Sequence, residues 1–151
     1  MFLSFSYVSN SREGRGRLQL GEGVYYEGDF KEGVRSGEGT ARYANGDAYS
    51  GHWSQGKKEG QGVYVFSSCR SRLVGDWLQG AFVGGEWKLS EGQVYRGHFE
   101  NAKPSGKGEW NLDCAKVHGV YTLHAAPIDF APDDPLNPPT KVTAHWKTLI
   151  E

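Results

Sequence analysis

Apolar residues are scarce in this chain. They fill 37% of its 151 positions, low for a compact globular domain. Cysteine is nearly absent too: Cys69 and Cys114 lie far apart, so no disulfide framework is implied and a reducing compartment is the default. No apolar run approaches a membrane-spanning helix. Residues 1–5 lack the charged start and long apolar stretch of a secretion signal, and no N-x-[ST] acceptor occurs. The expectation is a soluble, intracellular protein. Charge of one sign is missing as well. The net charge is −1, and through Val63 eight basic residues face eight acidic ones. Such a balance gives no long-range steering toward nucleic acid or anionic lipid, so neither is expected as a partner.

What the chain does have is glycine, 22 residues or about twice the usual share, together with 13% aromatics. This pairing suggests a thin β-structure. Rings supply the buried area, and glycines supply turns and close backbone approach.

A repeat organises these residues. Tyr26-x-Gly28-x-Phe30-x-x-Gly33-x-x-x-Gly37-x-Gly39 recurs 23 residues on as Tyr49-x-Gly51-x-Trp53-x-x-Gly56-x-x-x-Gly60-x-Gly62. A third copy reads Leu73-x-Gly75-x-Trp77-x-x-Gly80-x-x-x-Gly84-x-Glu86, with leucine for tyrosine and glutamate for the last glycine. The fourth, Tyr95-x-Gly97-x-Phe99-x-x-Ala102-x-x-x-Gly106-x-Gly108, lacks only the turn glycine. Worn copies flank them, from Leu3 at one end and at Val117-x-Gly119-x-Tyr121 at the other, as expected of units that cap an array.

In a strand, alternate residues share a face. Tyr26, Gly28 and Phe30 therefore point one way, and Gly37, Gly39, Ala41 and Tyr43 share a face on the return strand. A ring from one strand can lie over its neighbour's glycine and pack one sheet face without a second layer. Gly33 and Gly56 fall in the turns within units, and Asn45-Gly46 marks a turn between them. The predicted fold class is all-β: a single-layer antiparallel β-meander of hairpins, an elongated twisted ribbon with each unit advancing roughly 10 Å. The array spans residues 1–125, its best copies from 26 to 110. The extra residue of the third unit's 24-residue spacing is assigned to the connection holding Cys69.

Residues 126–151 form a proline-rich tail. Five of the six prolines lie between Pro127 and Pro139, which predicts an extended path over a surface. Beyond it, alternation of Val142, Ala144, Trp146, Thr148 and Ile150 predicts a short terminal strand. Trp146 and Phe130 argue for docking, on this chain or on a partner.

The repeat resembles the MORN repeat. A narrower resemblance follows Tyr95: Pro104 within the copy, then Cys114, His118-Gly119-Val120-Tyr121 and Trp146-Lys147 are similar to the last repeats of MORN-type radial spoke head proteins of motile cilia. That resemblance implies a non-catalytic subunit of a large multi-protein complex in the cytoskeleton, at the axoneme of a cilium or flagellum. Its partners would be other radial spoke head proteins and the central pair apparatus, with room for a homodimer. Those proteins often carry a long acidic extension; this sequence stops at Glu151.

Catalytic signatures are missing. The Gly-x-Gly pairs lack the third glycine of a dinucleotide site: Gln19, Arg42, Val65 and Asn111 stand there. Gly108 follows Gly106-Lys107 where a phosphate loop needs Ser or Thr. Cys114, His118, His124 and His98 match no common zinc spacing. No Gly-x-Ser-x-Gly elbow occurs. No cofactor, metal or enzyme activity is expected.

The rings of Tyr26, Phe30, Tyr49, Trp53, Trp77, Tyr95 and Phe99, with Trp146 of the tail, are the candidate partner-binding residues. They carry two compatible readings: packing between neighbouring repeats, and a groove that a partner helix or peptide fills. Alternatives to the spoke head are a membrane–cytoskeleton tether binding phospholipid, which would want a basic face, and a targeting module for a partner enzyme.

Overall fold

The computed structural model describes residues 6–8, 11–113, 115–127 and 140–149. Leu3, Phe5, Cys114, Phe130 and Ile150 lie outside them. Among the described residues there are twelve strands and no helix: β1 (Ser6–Val8), β2 (Ser11–Gly21), β3 (Val24–Lys31), β4 (Val34–Arg42), β5 (Ala48–Ser54), β6 (Lys57–Val65), β7 (Arg72–Leu78), β8 (Ala81–Lys88), β9 (Val94–Glu100), β10 (Lys103–Leu112), β11 (Ala115–Pro127) and β12 (Thr140–Thr148). They form one open antiparallel sheet whose spatial order is the chain order. This is the all-β meander that the repeat predicts. The terminal strand is present in the tail, and it pairs with β11 so that Trp146 stands opposite Tyr121.

Glycine pairs set the register. Gly28 stands opposite Gly39, Gly51 opposite Gly62 and Gly97 opposite Gly108. A bulge follows each pair. In the first of these units Asp29 pairs with Ser36 directly after Gly28 pairs with Gly39, so two residues of β4 have no opposite number. The Asp29 carboxylate fills the gap by accepting the Glu38 N–H at 3.0 Å. The hairpin turns that follow have positive φ at both central residues: Glu32–Gly33 (52° and 80°), Gln55–Gly56 (49° and 75°), Gln79–Gly80 (51° and 92°) and Asn101–Ala102 (49° and 60°). That geometry matches the twist of the flanking strands.

The third unit requires a correction. Glu86 does not occupy the place of the last glycine. Gly75 pairs with Gly85, and Trp77 pairs with Phe82 after a shift of a single residue. With one residue fewer in its bulge, Gly85 takes the position of Gly39, Gly62 and Gly108. Glu86 therefore falls on the opposite face, where it meets Arg96 at 2.7 Å and Lys88 at 2.8 Å. The six-residue connection 66–71 between β6 and β7 is one longer than the connections 43–47 and 89–93, where the extra residue of the 24-residue spacing is expected.

The two faces differ sharply in chemistry. One carries cross-strand polar pairs, among them Thr40–Ser50 at 3.0 Å, Glu38–His52 at 3.2 Å and Gln61–Asp76. The other carries the rings. Each repeat tyrosine leans along its strand and covers the glycine pair of its own hairpin. A Cβ on Gly39 would lie 2.5 Å from Tyr26 Cζ, and one on Gly108 2.5 Å from Tyr95 Cζ. Only glycine leaves that space.

Candidate functional site: the ring face

The seven repeat rings and Leu73 form the interior of the sheet's aromatic face. None of the seven is more than 5% exposed. They connect in one chain, mostly edge to face. Tyr26 meets Phe30 at 5.1 Å and Trp53 at 5.2 Å; Tyr49 meets Trp53 and Trp77, each at 5.1 Å. Phe82 carries the chain onward from Trp77 at 5.2 Å to Phe99 at 4.7 Å, and Tyr95 continues it to Tyr121 at 5.2 Å. Edge-to-face pairs favour the ring quadrupoles beyond area burial alone. Trp146 docks on this chain: it lies 4.9 Å from Tyr121 and sits over Gly119 as a tyrosine sits over its glycine elsewhere.

Four of the five polar side-chain atoms on these seven rings have defined partners. Tyr26 and Tyr49 hydroxyls donate to the carbonyls of Asp29 and His52, each at 3.0 Å. Trp53 and Trp77 Nε1 donate back to the carbonyls of Gly39 and Gly62 in the preceding hairpin, at 3.0 and 3.3 Å. The Tyr95 hydroxyl, fully buried, has no partner among the described residues. Burial followed by the charge of Asp29 pushes Tyr26 up to about 12; burial and neighbouring Tyr121 push Tyr95 up to about 12.

A partner resting on this face would therefore touch a second tier of side chains. Tyr43, Tyr64, Phe66, Trp87, Trp110, Tyr121 and Trp146 are half-buried and packed on the inner rings. Between them run connected hollows. A cavity of about 200 Å³ is lined by Phe66, Cys69, Ser71, Leu73, Trp87, Phe99, Ala102 and Pro104. A hollow of about 240 Å³ shares Phe66, Leu73 and Ala102 with it and reaches Lys58, Tyr64 and Trp77. On the other side, one of about 490 Å³ shares Trp87, Ala102 and Pro104 and reaches Tyr121 and Ala144. The result is a groove running from β6 to β12, apolar around Leu73 and mixed toward β12. Leu73, which stands where the other units have tyrosine, lines its most enclosed part.

A row of residues borders the ring face at one position per unit. Arg35 pairs with Phe30 and Lys58 with Trp53; the next members are Phe82 and Pro104. The Arg35 guanidinium lies 4.5 Å from the Trp53 ring and donates to the Gly56 carbonyl at 2.8 Å. Lys58 Nζ lies 4.4 Å from the Trp77 ring and 4.7 Å from Tyr64, a cation–π arrangement. Burial, and then the charge of Arg35, hold the Lys58 ammonium below the usual lysine range.

At the edge between units, Asp47 clamps two connections together. Its buried carboxylate accepts the Tyr64 hydroxyl at 2.7 Å, the Ser67 N–H at 2.8 Å and the Asn45 amide at 2.9 Å. The sequence marks Asn45-Gly46 as a turn and Trp146 as a binding residue, but it does not reveal the roles of Asp47, Lys58, Tyr64, Phe66, Trp87 and Trp110. The one available signal was the recurrence of a cation, Arg35 and Lys58, at the 23-residue spacing. Among the described residues no three His, Cys, Asp or Glu side chains converge as a metal site would need.

The MORN repeat profile matches residues 26–48, 49–68 and 95–111. These three segments are MORN repeats. The three matched segments are the units with a tyrosine over a glycine pair; the unmatched stretch between the second and third is the Leu73 unit with its shortened bulge. No curated protein matches the chain. MORN repeats point to a module for protein interaction or membrane binding.

Proposed function

We propose that this chain is a non-catalytic interaction module that docks a segment of a protein partner in its aromatic groove. The observation that supports it is the groove from β6 to β12, apolar beside Leu73 and walled by Phe66, Trp87 and Pro104. Half-buried aromatics in a desolvated recess are the residues that carry binding energy at interfaces. The opposite face is a ladder of mutually satisfied polar pairs.

Within that reading, the partner assembly is the radial spoke head of a motile cilium or flagellum. The support is the resemblance of the Tyr95–Gly108 unit, with His118-Gly119-Val120-Tyr121 and Trp146-Lys147 behind it. In the fold these residues are neighbours: Tyr95 contacts both Tyr121 and Trp146. A tagged copy expressed in a motile ciliated cell tests it by detergent and then high-salt extraction. Retention in the detergent-insoluble axoneme and release with spoke proteins is expected. Release by detergent with the membrane fraction would favour the phospholipid tether instead.

A further inference from the structure

We propose that the occupant of the groove is an acidic, apolar-rich protein segment, with a carboxylate seated on Lys58 and an apolar side chain in the cavity beside Leu73. This rests on the docking reading above and adds the partner's chemistry.

Two observations carry it. The first is where the charges lie. Glu27, Glu38, Asp76, Glu86 and Glu109 all engage cross-strand partners on the polar face. On the ring face Arg35, Lys58 and Lys103 are cations; the buried Asp47 carboxylate at its edge is taken up by Tyr64, Ser67 and Asn45, and no carboxylate among the described residues lies within ion-pair distance of Arg35 or Lys58. The ammonium of Lys58 is held over rings in a half-buried recess, where burial disfavours its charge. An incoming carboxylate supplies what this chain does not, in a setting of reduced dielectric where such a pair counts for more than at an open surface.

The second is adjacency. Lys58 and the apolar cavity share one groove: the hollow that Lys58 lines also contains Phe66, Leu73 and Ala102, which line the cavity. The row that begins with the cations Arg35 and Lys58 continues with Phe82 and Pro104. A segment lying along it meets Arg35 and Lys58 first and then the apolar walls beside Leu73, with Lys103 beyond them. A basic segment would be repelled. A lipid surface would need cations that project outward, whereas these are folded back over rings.

The test uses the full chain and three fluorescein-labelled peptides of one length built from Phe, Leu and Ala with Glu, Gln or Lys between them. Phosphatidylserine vesicles are a fourth probe, and anisotropy and co-sedimentation are the readouts. The Glu peptide is expected to bind at least ten-fold more tightly than the Gln peptide, and the Lys peptide most weakly. Raised salt should shrink that preference in the wild-type protein. Lys58→Met should abolish it and Lys58→Arg keep it, with near-UV circular dichroism confirming the fold. Phe66→Glu should weaken every peptide. If the Glu and Gln peptides bind equally and Phe66→Glu weakens both, groove docking stands and the acidic partner is wrong. If Phe66→Glu weakens no peptide, or only the vesicles bind, the docking reading falls with it.

Discussion

Tyr49 and Gly62 are locked together across the β5–β6 hairpin: a Cβ on Gly62 would lie 2.6 Å from the Tyr49 ring carbons. The ring is fully buried and its hydroxyl is tied to His52, so it cannot retreat without breaking that bond. Gly62→Ala should therefore destabilise the chain by about 2–3 kcal/mol, the scale of an overpacked core. Gly56→Ala in the turn meets open space and should cost only the strain of its positive φ, about 1 kcal/mol. Chemical denaturation of the two variants separates these costs.

The repeat tyrosines are not equivalent. Tyr49→Phe removes a hydroxyl with a partner at 3.0 Å, leaves the His52 carbonyl without this donor, and should cost about 1 kcal/mol. Tyr95→Phe removes a buried hydroxyl with no partner among the described residues, and should be neutral or stabilising by about 1 kcal/mol. Denaturant midpoints of the two Phe variants should move in opposite directions or differ clearly in size.

Ala102 holds a turn position with φ of 60°, where the other units have glycine. A left-handed alanine is strained, so Ala102→Gly should raise stability by about 0.5–1 kcal/mol. That corresponds to a rise of a few degrees in Tm for a chain of this size.

Asp47 makes the array acid-sensitive. Burial alone would raise its carboxyl, but hydrogen bonds from the Ser67 N–H, the Tyr64 hydroxyl and the Asn45 amide hold it below the usual carboxylate range. A group depressed in the folded state stabilises above its unfolded value of about 4 and loses that contribution as pH falls through the folded value. Asp47→Ala leaves the Tyr64 hydroxyl and Ser67 N–H without this acceptor and should cost about 1–3 kcal/mol at neutral pH. Its deficit against wild type should shrink below about pH 4.

The meander was legible because the repeat spells out its own packing. The spacing of Tyr26, Gly28 and Gly39 states which ring covers which glycine, and the period of two in the tail placed β12. The register of the third unit was hidden because a bulge residue lost before Gly85 leaves no mark in a count of glycines. Only the pairing of Gly75 shows it. The ring stripe was found, but its depth was not: a sequence does not say that edge-to-face contacts would bury Tyr49 fully while leaving Tyr64 and Trp87 half-exposed. Lys58 was read as one charge in a balanced sum because its setting depends on four strands.

The most direct test of the central claim places a photo-crosslinking residue at Phe66 or Trp87 on the ring face, and at Ser50 or Gln61 on the polar face, in a motile ciliated cell. The account predicts crosslinks from positions 66 and 87 to one protein retained in the detergent-insoluble axoneme, and none to it from 50 and 61. Crosslinks to that protein from the polar face alone, or to lipid from the ring face, would contradict it.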